Sequence, residues 1–185
     1  MFFRKPRLEA LPVTMAGVRM GERLLQMGVD DAGLVAALAS KVGLSGAASH
    51  AVDNERDAAR ARSAASGAGV LVDVHVTPLR ALPFEPGSFD LVVIHSLGGL
   101  LASMTPEERV GCLQSVHRAL RGGGRAVVIE AAPRQGLAAL FRGHAVNEHY
   151  AAAGGAEGAL RAEGFRPVRL LGDREGYRFT EGLKT

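Results

Sequence analysis

With 185 residues, 47% of them hydrophobic and 22% charged, the chain has material for one domain with a full core and too little for two of ordinary size. Its formal net charge of +3 comes from arginines scattered singly rather than in runs, and Trp is absent, a pattern that suits solubility more than nucleic-acid binding. Cys112 is the sole cysteine, which excludes an internal disulfide and a thiolate-cluster metal site.

The opening Met-Phe-Phe-Arg-Lys-Pro lacks the long apolar stretch of a signal peptide or membrane span, so a cytoplasmic protein without membrane contact is expected. Residues 1–21 read as an N-terminal extension of a single domain covering 1–185. Holding Phe2, Phe3, Leu8 and Leu11, the extension offers little for a substrate lid, which leaves an open site or one covered by a partner. Short apolar strands are predicted at Leu24–Met27, Ala47–Val52, Val70–Val76, Leu91–Ile94 and Ala126–Ile129, with segments of helical spacing between them. The alternation predicts an α/β fold, a Rossmann-like, doubly wound, mostly parallel sheet. Leu91–Ile94 and Ala126–Ile129 run without a polar break and belong mid-sheet.

Between those two strands Thr105, Pro106 and Glu108 form a capping box with proline at the first helical position. The helix it starts is expected to bury Val110, Leu113, Val116 and Leu120 and to stop at Gly122, Gly123 and Gly124. A short helix over Leu137–Phe141 and another, weakened by Gly154 and Gly155, should follow before Gly164. Val168–Leu171 and Tyr177–Thr180 read as a hairpin-like pair that adds an antiparallel C-terminal edge strand.

The run Leu82-Pro83-Phe84, then Ser88-Phe89-Asp90-Leu91-Val92-Val93, then His117-Arg118-Ala119-Leu120-Arg121-Gly122-Gly123-Gly124-Arg125 resembles class I S-adenosylmethionine-dependent methyltransferases. Order and spacing are those of small-molecule members such as the quinone-biosynthesis C-methyltransferases. The resemblance implies S-adenosylmethionine as cofactor, a small-molecule methyl acceptor, and a cofactor loop within Leu24-Leu25-Gln26-Met27-Gly28-Val29-Asp30-Asp31-Ala32. It also implies an acid at Gln26 and glycines at Gly28, Asp30 and Ala32, of which only Gly28 is present. Asp53, one residue past the aligned position Val52, is the candidate for the ribose hydroxyls. Pro78 stands where an adenine-reading Asp or Asn is implied, which leaves apolar contact from Leu79. Cofactor contacts are therefore expected from Gly28, Asp30, Asp53 and Leu79.

Asp30 and Asp31 precede a helix carrying Leu34, Val35 and Leu38, so one of them caps it; a carboxylate there also attracts the ammonium and sulfonium of the cofactor and repels its carboxylate, two effects of opposite sign between which the sequence does not decide. Methyl transfer needs alignment more than a dedicated base. If a base serves, His95 is the candidate, following the fourth strand with Ser96 at the carboxyl edge of the sheet; the alternative is a strand-end histidine facing solvent. Leu97-Gly98-Gly99-Leu100-Leu101 reads either as a place of close substrate approach or as a turn needing positive φ. His144, Glu148 and His149 miss known zinc spacings by one residue, and no metal is expected; neighbouring Tyr150 is either a lid residue or ordinary packing. The rival to the enzyme is a protein that keeps the fold without the cofactor and works through homodimerisation or another ligand. A third reading, RNA methylation, needs a continuous positive surface beside the cleft.

Overall fold

The computed structural model describes residues 10–132 and 148–185. One seven-stranded sheet has the order β3-β2-β1-β4-β5-β7-β6. Strands β1 (Arg23–Met27), β2 (Ala47–Val52), β3 (Asp73–Val76), β4 (Phe89–Ser96) and β5 (Leu120–Ala131) pair in parallel. Beyond β5, β7 (Tyr177–Leu183) pairs antiparallel with both β5 and the outermost strand, β6 (Val168–Arg174). The helices are α1 (Leu11–Ala16), α2 (Ala32–Lys41), α3 (Glu55–Ala68), α4 (Leu100–Ser103), α5 (Pro106–Ala119), α6 (Glu148–Ala152) and α7 (Gly155–Ala162). This is the doubly wound, mostly parallel sheet with antiparallel closure at its C-terminal side that the alternation of patterns predicts.

β4 and β5 lie mid-sheet because both of their faces are apolar. Val92 and Ile94 pack with Leu113 and Val116 of α5 and Leu160 of α7, whereas Leu91 and Val93 pack with Leu34 and Leu38 of α2. Both layers are fully covered, so a polar side chain pointing from these strands must find its partners inside the protein.

The capping box forms as expected: Thr105 accepts from the Glu108 amide at 3.2 Å, and the Glu108 carboxylate accepts from the Thr105 amide at 3.0 Å. The stop differs. α5 ends at Ala119 and Leu120 is already extended, so the three glycines lie inside β5, where the register with β4 shifts between Phe89 and Leu91. A Cβ on Gly124 would stand 2.9 Å from the Arg121 carbonyl oxygen and 3.1 Å from that of Asp90, so glycine is needed for the strands to approach there. Gly154 and Gly155, both at positive φ, divide the expected single helix into α6 and α7. The helix expected over Leu137–Phe141 lies outside the described residues.

Part of the segment read as an extension belongs to the core. Val13 and Ala16 of α1 are buried against the α2 face of the sheet. Arg125 of β5 fixes the end of α1, donating to the Gly17 carbonyl at 2.6 Å and to Glu22 at 2.7 Å. No helix among the described residues is long and apolar enough to cross a membrane.

Candidate functional site

The chain leaves β1 towards β2 and β3, then returns to the other side of β1 to make β4. That reversal opens a crevice at the carboxyl ends of β1, β2 and β4, the place where open α/β sheets bind ligands. A cleft of ≈ 260 Å³ lies there, lined by Gly28, Val29 and Asp30 after β1, Val52 to Asn54 after β2, Asp57 of α3, Leu79, and His95, Gly98, Leu100 and Ser103 around the end of β4. Gly28, Asp30, Asp53 and Leu79, expected separately around a cofactor, thus line one cleft.

Gly28 is left-handed, with φ +77, and its amide donates to the Ala51 carbonyl at 3.1 Å. A Cβ there would stand 2.9 Å from the His95 carbonyl oxygen and 2.9 Å from a Leu100 methyl. The loop that follows has its carbonyls bound by Arg60 of α3, which donates to Val29 at 3.0 Å and Asp30 at 3.2 Å.

The two aspartates divide the work between them. Asp31 is the N-cap of α2, accepting from Gly33 and Leu34 amides at 2.8 and 3.3 Å. Asp30 reaches across the crevice, where its carboxylate accepts from the Leu97 amide at 2.6 Å and the Gly98 amide at 3.0 Å. Burial pushes the Asp30 carboxyl up, and these two amides together with Arg60 pull it back. A Cβ on Gly98 would meet Asp30 Oδ1 at 2.7 Å, so this glycine makes room for the carboxylate. Gly99, at φ +82, supplies the turn. Gly99 is thus the turn needing positive φ, one of the two uses expected for Leu97–Leu101, while Gly98 lines the cleft.

β2 ends at Val52, which is buried against α2 and α3, and Asp53 begins the exposed bend beyond it. Asn54 caps α3 and donates to Asp53 at 2.6 Å and to Asp57 at 3.0 Å, holding the two carboxylates beside each other. Partial burial raises Asp57, but hydrogen bonds from Asn54 and Arg60 outweigh it and hold the carboxyl below its usual range. Asn54 and Asp57 were not singled out from the sequence; the Asn-x-x-Asp spacing after a predicted strand was their signal, since it marks a helix start at the sheet's carboxyl edge.

His95, which lines the cleft, has its ring buried in the protein. Its side chain is 1% exposed and its Nε2 lies 2.9 Å from Gln26 Oε1, whose amide in turn donates to the Val35 carbonyl of α2 at 2.9 Å. The ring of His50 stacks at 6.3 Å, its Nε2 donating to the Gly28 carbonyl at 2.8 Å. Burial pushes His95 down to about 3, helped by His50, and pushes His50 down to about 4. Both are neutral imidazoles inside the sheet–α2 layer, and what His95 presents at Gly28 is its main-chain carbonyl. The solvent-facing reading of His95 does not describe this position.

Tyr150 packs as a core residue: it is 6% exposed and its hydroxyl donates to Glu130 at 2.7 Å, at the carboxyl end of β5. Arg109 lies 4.6 Å over its ring and donates to the carbonyls of Leu101 and Met104. The Tyr150→Phe variant is expected to lose about 1–3 kcal/mol of stability by urea unfolding, the cost of leaving a half-buried carboxyl short of a donor. His149 is exposed, His144 lies outside the described residues, and no cluster of three metal-ligating side chains occurs among the described residues.

Residues 24–124 match the family described as "Methyltransferase domain". The chain belongs to this family. It is a member of the class I S-adenosylmethionine-dependent methyltransferase superfamily, and the cofactor this membership brings is S-adenosylmethionine. A ubiquinone/menaquinone biosynthesis C-methyltransferase of Hydrogenovibrio crunogenus is 30% identical over 120 residues, which are 64% of this chain and 45% of that protein. The chain therefore matches less than half the length of that relative. Two solved structures share the fold: a SAM-dependent methyltransferase from Aquifex aeolicus (TM-score 0.72, 15% identity, covering 94% of this chain and 88% of that one) and another from Methanosarcina mazei (TM-score 0.66, 17% identity, 96% and 99%).

The lining suits that cofactor at one end and is unusual at the other. Leu79 lines the cleft as an apolar side chain that could meet an adenine ring, and Asp53 as a carboxylate that could meet ribose hydroxyls. The opposite end has Leu100 against Gly28, and Asp30 bound across the crevice.

Proposed function

We propose that this protein is an S-adenosylmethionine-dependent methyltransferase acting on a small molecule, with transfer to carbon suggested by the C-methyltransferase name of its relative. The observation that carries the reading is the gathering of Gly28, Asp30, Asp53 and Leu79 around one cleft at the strand-order reversal, within a chain of this family. S-adenosylmethionine supplies an electrophilic methyl group on a sulfonium. Leu79 would hold the adenine by apolar contact, and Asp53, oriented by Asn54, would accept from the ribose hydroxyls. The main chain at Gly28 can approach a ligand closely because there is no Cβ. Positioning the methyl group against the acceptor is then the protein's main contribution, and no proton transfer through His95 is needed. Among the described residues the cleft lining contains neither Lys nor Arg, which favours a small acceptor over a phosphate backbone.

The test is the melting temperature with and without S-adenosylmethionine. Ligand at about 100 times its dissociation constant adds roughly 2.7 kcal/mol, a rise of about 5–10 °C for a chain of this length. The Asp53→Ala variant should keep the unliganded melting temperature and need about tenfold more ligand for the same rise, about 1.4 kcal/mol of lost contact. No shift at millimolar ligand would move the conclusion to a second reading, a cofactor-free binding protein acting through homodimerisation or another ligand. What favours that second reading is the filling of the Gly28 end by Leu100 and Asp30.

A further inference from the structure

We infer that Asp30 makes the cleft select its adenosyl ligand by charge, preferring the cationic methyl donor to its neutral demethylated product. The inference rests on the cofactor reading above and concerns what this chain's own carboxylate does to it.

Three features of the cleft point the same way. The Leu97 and Gly98 amides are main-chain donors at the carboxyl end of β4, suited to an anionic ligand group, and Asp30 takes both of them with its two oxygens. An anionic group of a ligand finds those donors occupied and meets a carboxylate instead. Second, Asp53 and Asp57 line the same cleft, so among the described residues its three charged lining side chains are all acidic. Third, Arg60, a cation beside the cleft among the described residues, is committed to the Val29 and Asp30 carbonyls and to Asp57 at 3.0 Å. The main-chain oxygen that faces Gly28, from His95, adds an acceptor and no donor.

Ligands sharing the adenosyl group but differing in charge separate this effect from shape. S-adenosylhomocysteine carries an ammonium and a carboxylate and is neutral overall. S-adenosylmethionine adds the sulfonium, and decarboxylated S-adenosylmethionine drops the carboxylate that would oppose Asp30. At the effective dielectric of a partly exposed site, a unit charge several ångströms from a carboxylate changes a dissociation constant by about tenfold. The step shrinks as salt shortens the screening length. Selection of this kind would let the cleft release product readily while it retains donor.

Isothermal titration of the purified protein with each of the three ligands, at low and high salt, tests this. The expected order of affinity is decarboxylated S-adenosylmethionine, then S-adenosylmethionine, then S-adenosylhomocysteine, with steps of about tenfold at low salt. In the Asp30→Asn variant, with folding checked by circular dichroism, the steps should contract to about threefold or less. S-adenosylhomocysteine binding as tightly as S-adenosylmethionine to the unaltered protein would overturn charge selection and leave the cofactor reading standing. Steps unchanged in Asp30→Asn would overturn the role of Asp30. Binding of none of the three would remove the cofactor reading itself, and this inference with it.

Discussion

Between pH 6.5 and pH 4 the protein is expected to lose roughly 3 kcal/mol of unfolding free energy for each of His50 and His95. Each imidazole is neutral and buried in the fold, at 0% and 1% exposure, and each is pushed well below its ordinary value of 6.5. The unfolded chain therefore binds protons at 6.5 that the folded chain refuses. Stability from these residues is complete above pH 6.5, falls as the unfolded state takes up protons, and continues to fall until the folded values of about 4 and 3 are reached. The upper part of this window, from pH 6.5 to about 5, lies above the range in which most carboxylates titrate, so the loss begins before ordinary acid unfolding. Urea midpoints followed by circular dichroism at stepped pH would show it. The His50→Gln/His95→Gln variant, whatever its stability at pH 7, should have a much shallower slope between pH 6.5 and 5 than the parent. A parent profile that stays flat down to pH 5 would mean that one or both rings find a proton acceptor in the fold.

The same two rings show where the sequence was readable and where it was not. Strand positions followed from periodicity, because central parallel strands are apolar on both faces and the loops between them are not. That property also hid the direction of His95. In a strand whose neighbours Val93 and Ile94 are both buried, alternation gives no polar face against which to orient the next residue, and the strand continues to Ser96 instead of ending at Ile94. The partner that explains the ring, Gln26, is 69 residues away in the chain, and its amide is in turn held by α2. Asp30 is a similar case. A cap for α2 was legible as a local pattern and is provided by Asp31, while the bond from Asp30 to Leu97 and Gly98 spans 67 and 68 residues and leaves no local trace. Gly28, Asp53 and Leu79, expected from the family resemblance, line one cleft because a parallel sheet sends the ends of β1 and β2 and the turn after β3 to one edge. What α1 contributes was missed because a helix of six residues carries too little periodicity to distinguish it from an extension.

The Gly28→Ala variant should be the most damaging single methyl addition in the cleft, costing about 2–3 kcal/mol of stability and the cofactor-induced rise in melting temperature together. Two terms contribute. An alanine at φ +77 is strained by about 1–2 kcal/mol, as at any left-handed position. The added carbon also meets the His95 carbonyl oxygen at 2.9 Å, and that oxygen belongs to a central strand whose neighbours β1 and β5 fix it on both sides, so it cannot retreat as the Leu100 methyl can. Gly69→Ala separates the terms, since that residue ends α3 at φ +68 with nothing within 4 Å of the added carbon. Gly69→Ala should show the backbone strain alone and keep the full response to S-adenosylmethionine. Gly28→Ala should show the larger loss and no response, because β1 and β4 must part where the ligand's approach depends on their closeness. Equal destabilisation of the two variants, with the ligand response intact in both, would mean that Gly28 serves only the turn and that the cofactor does not approach the main chain there.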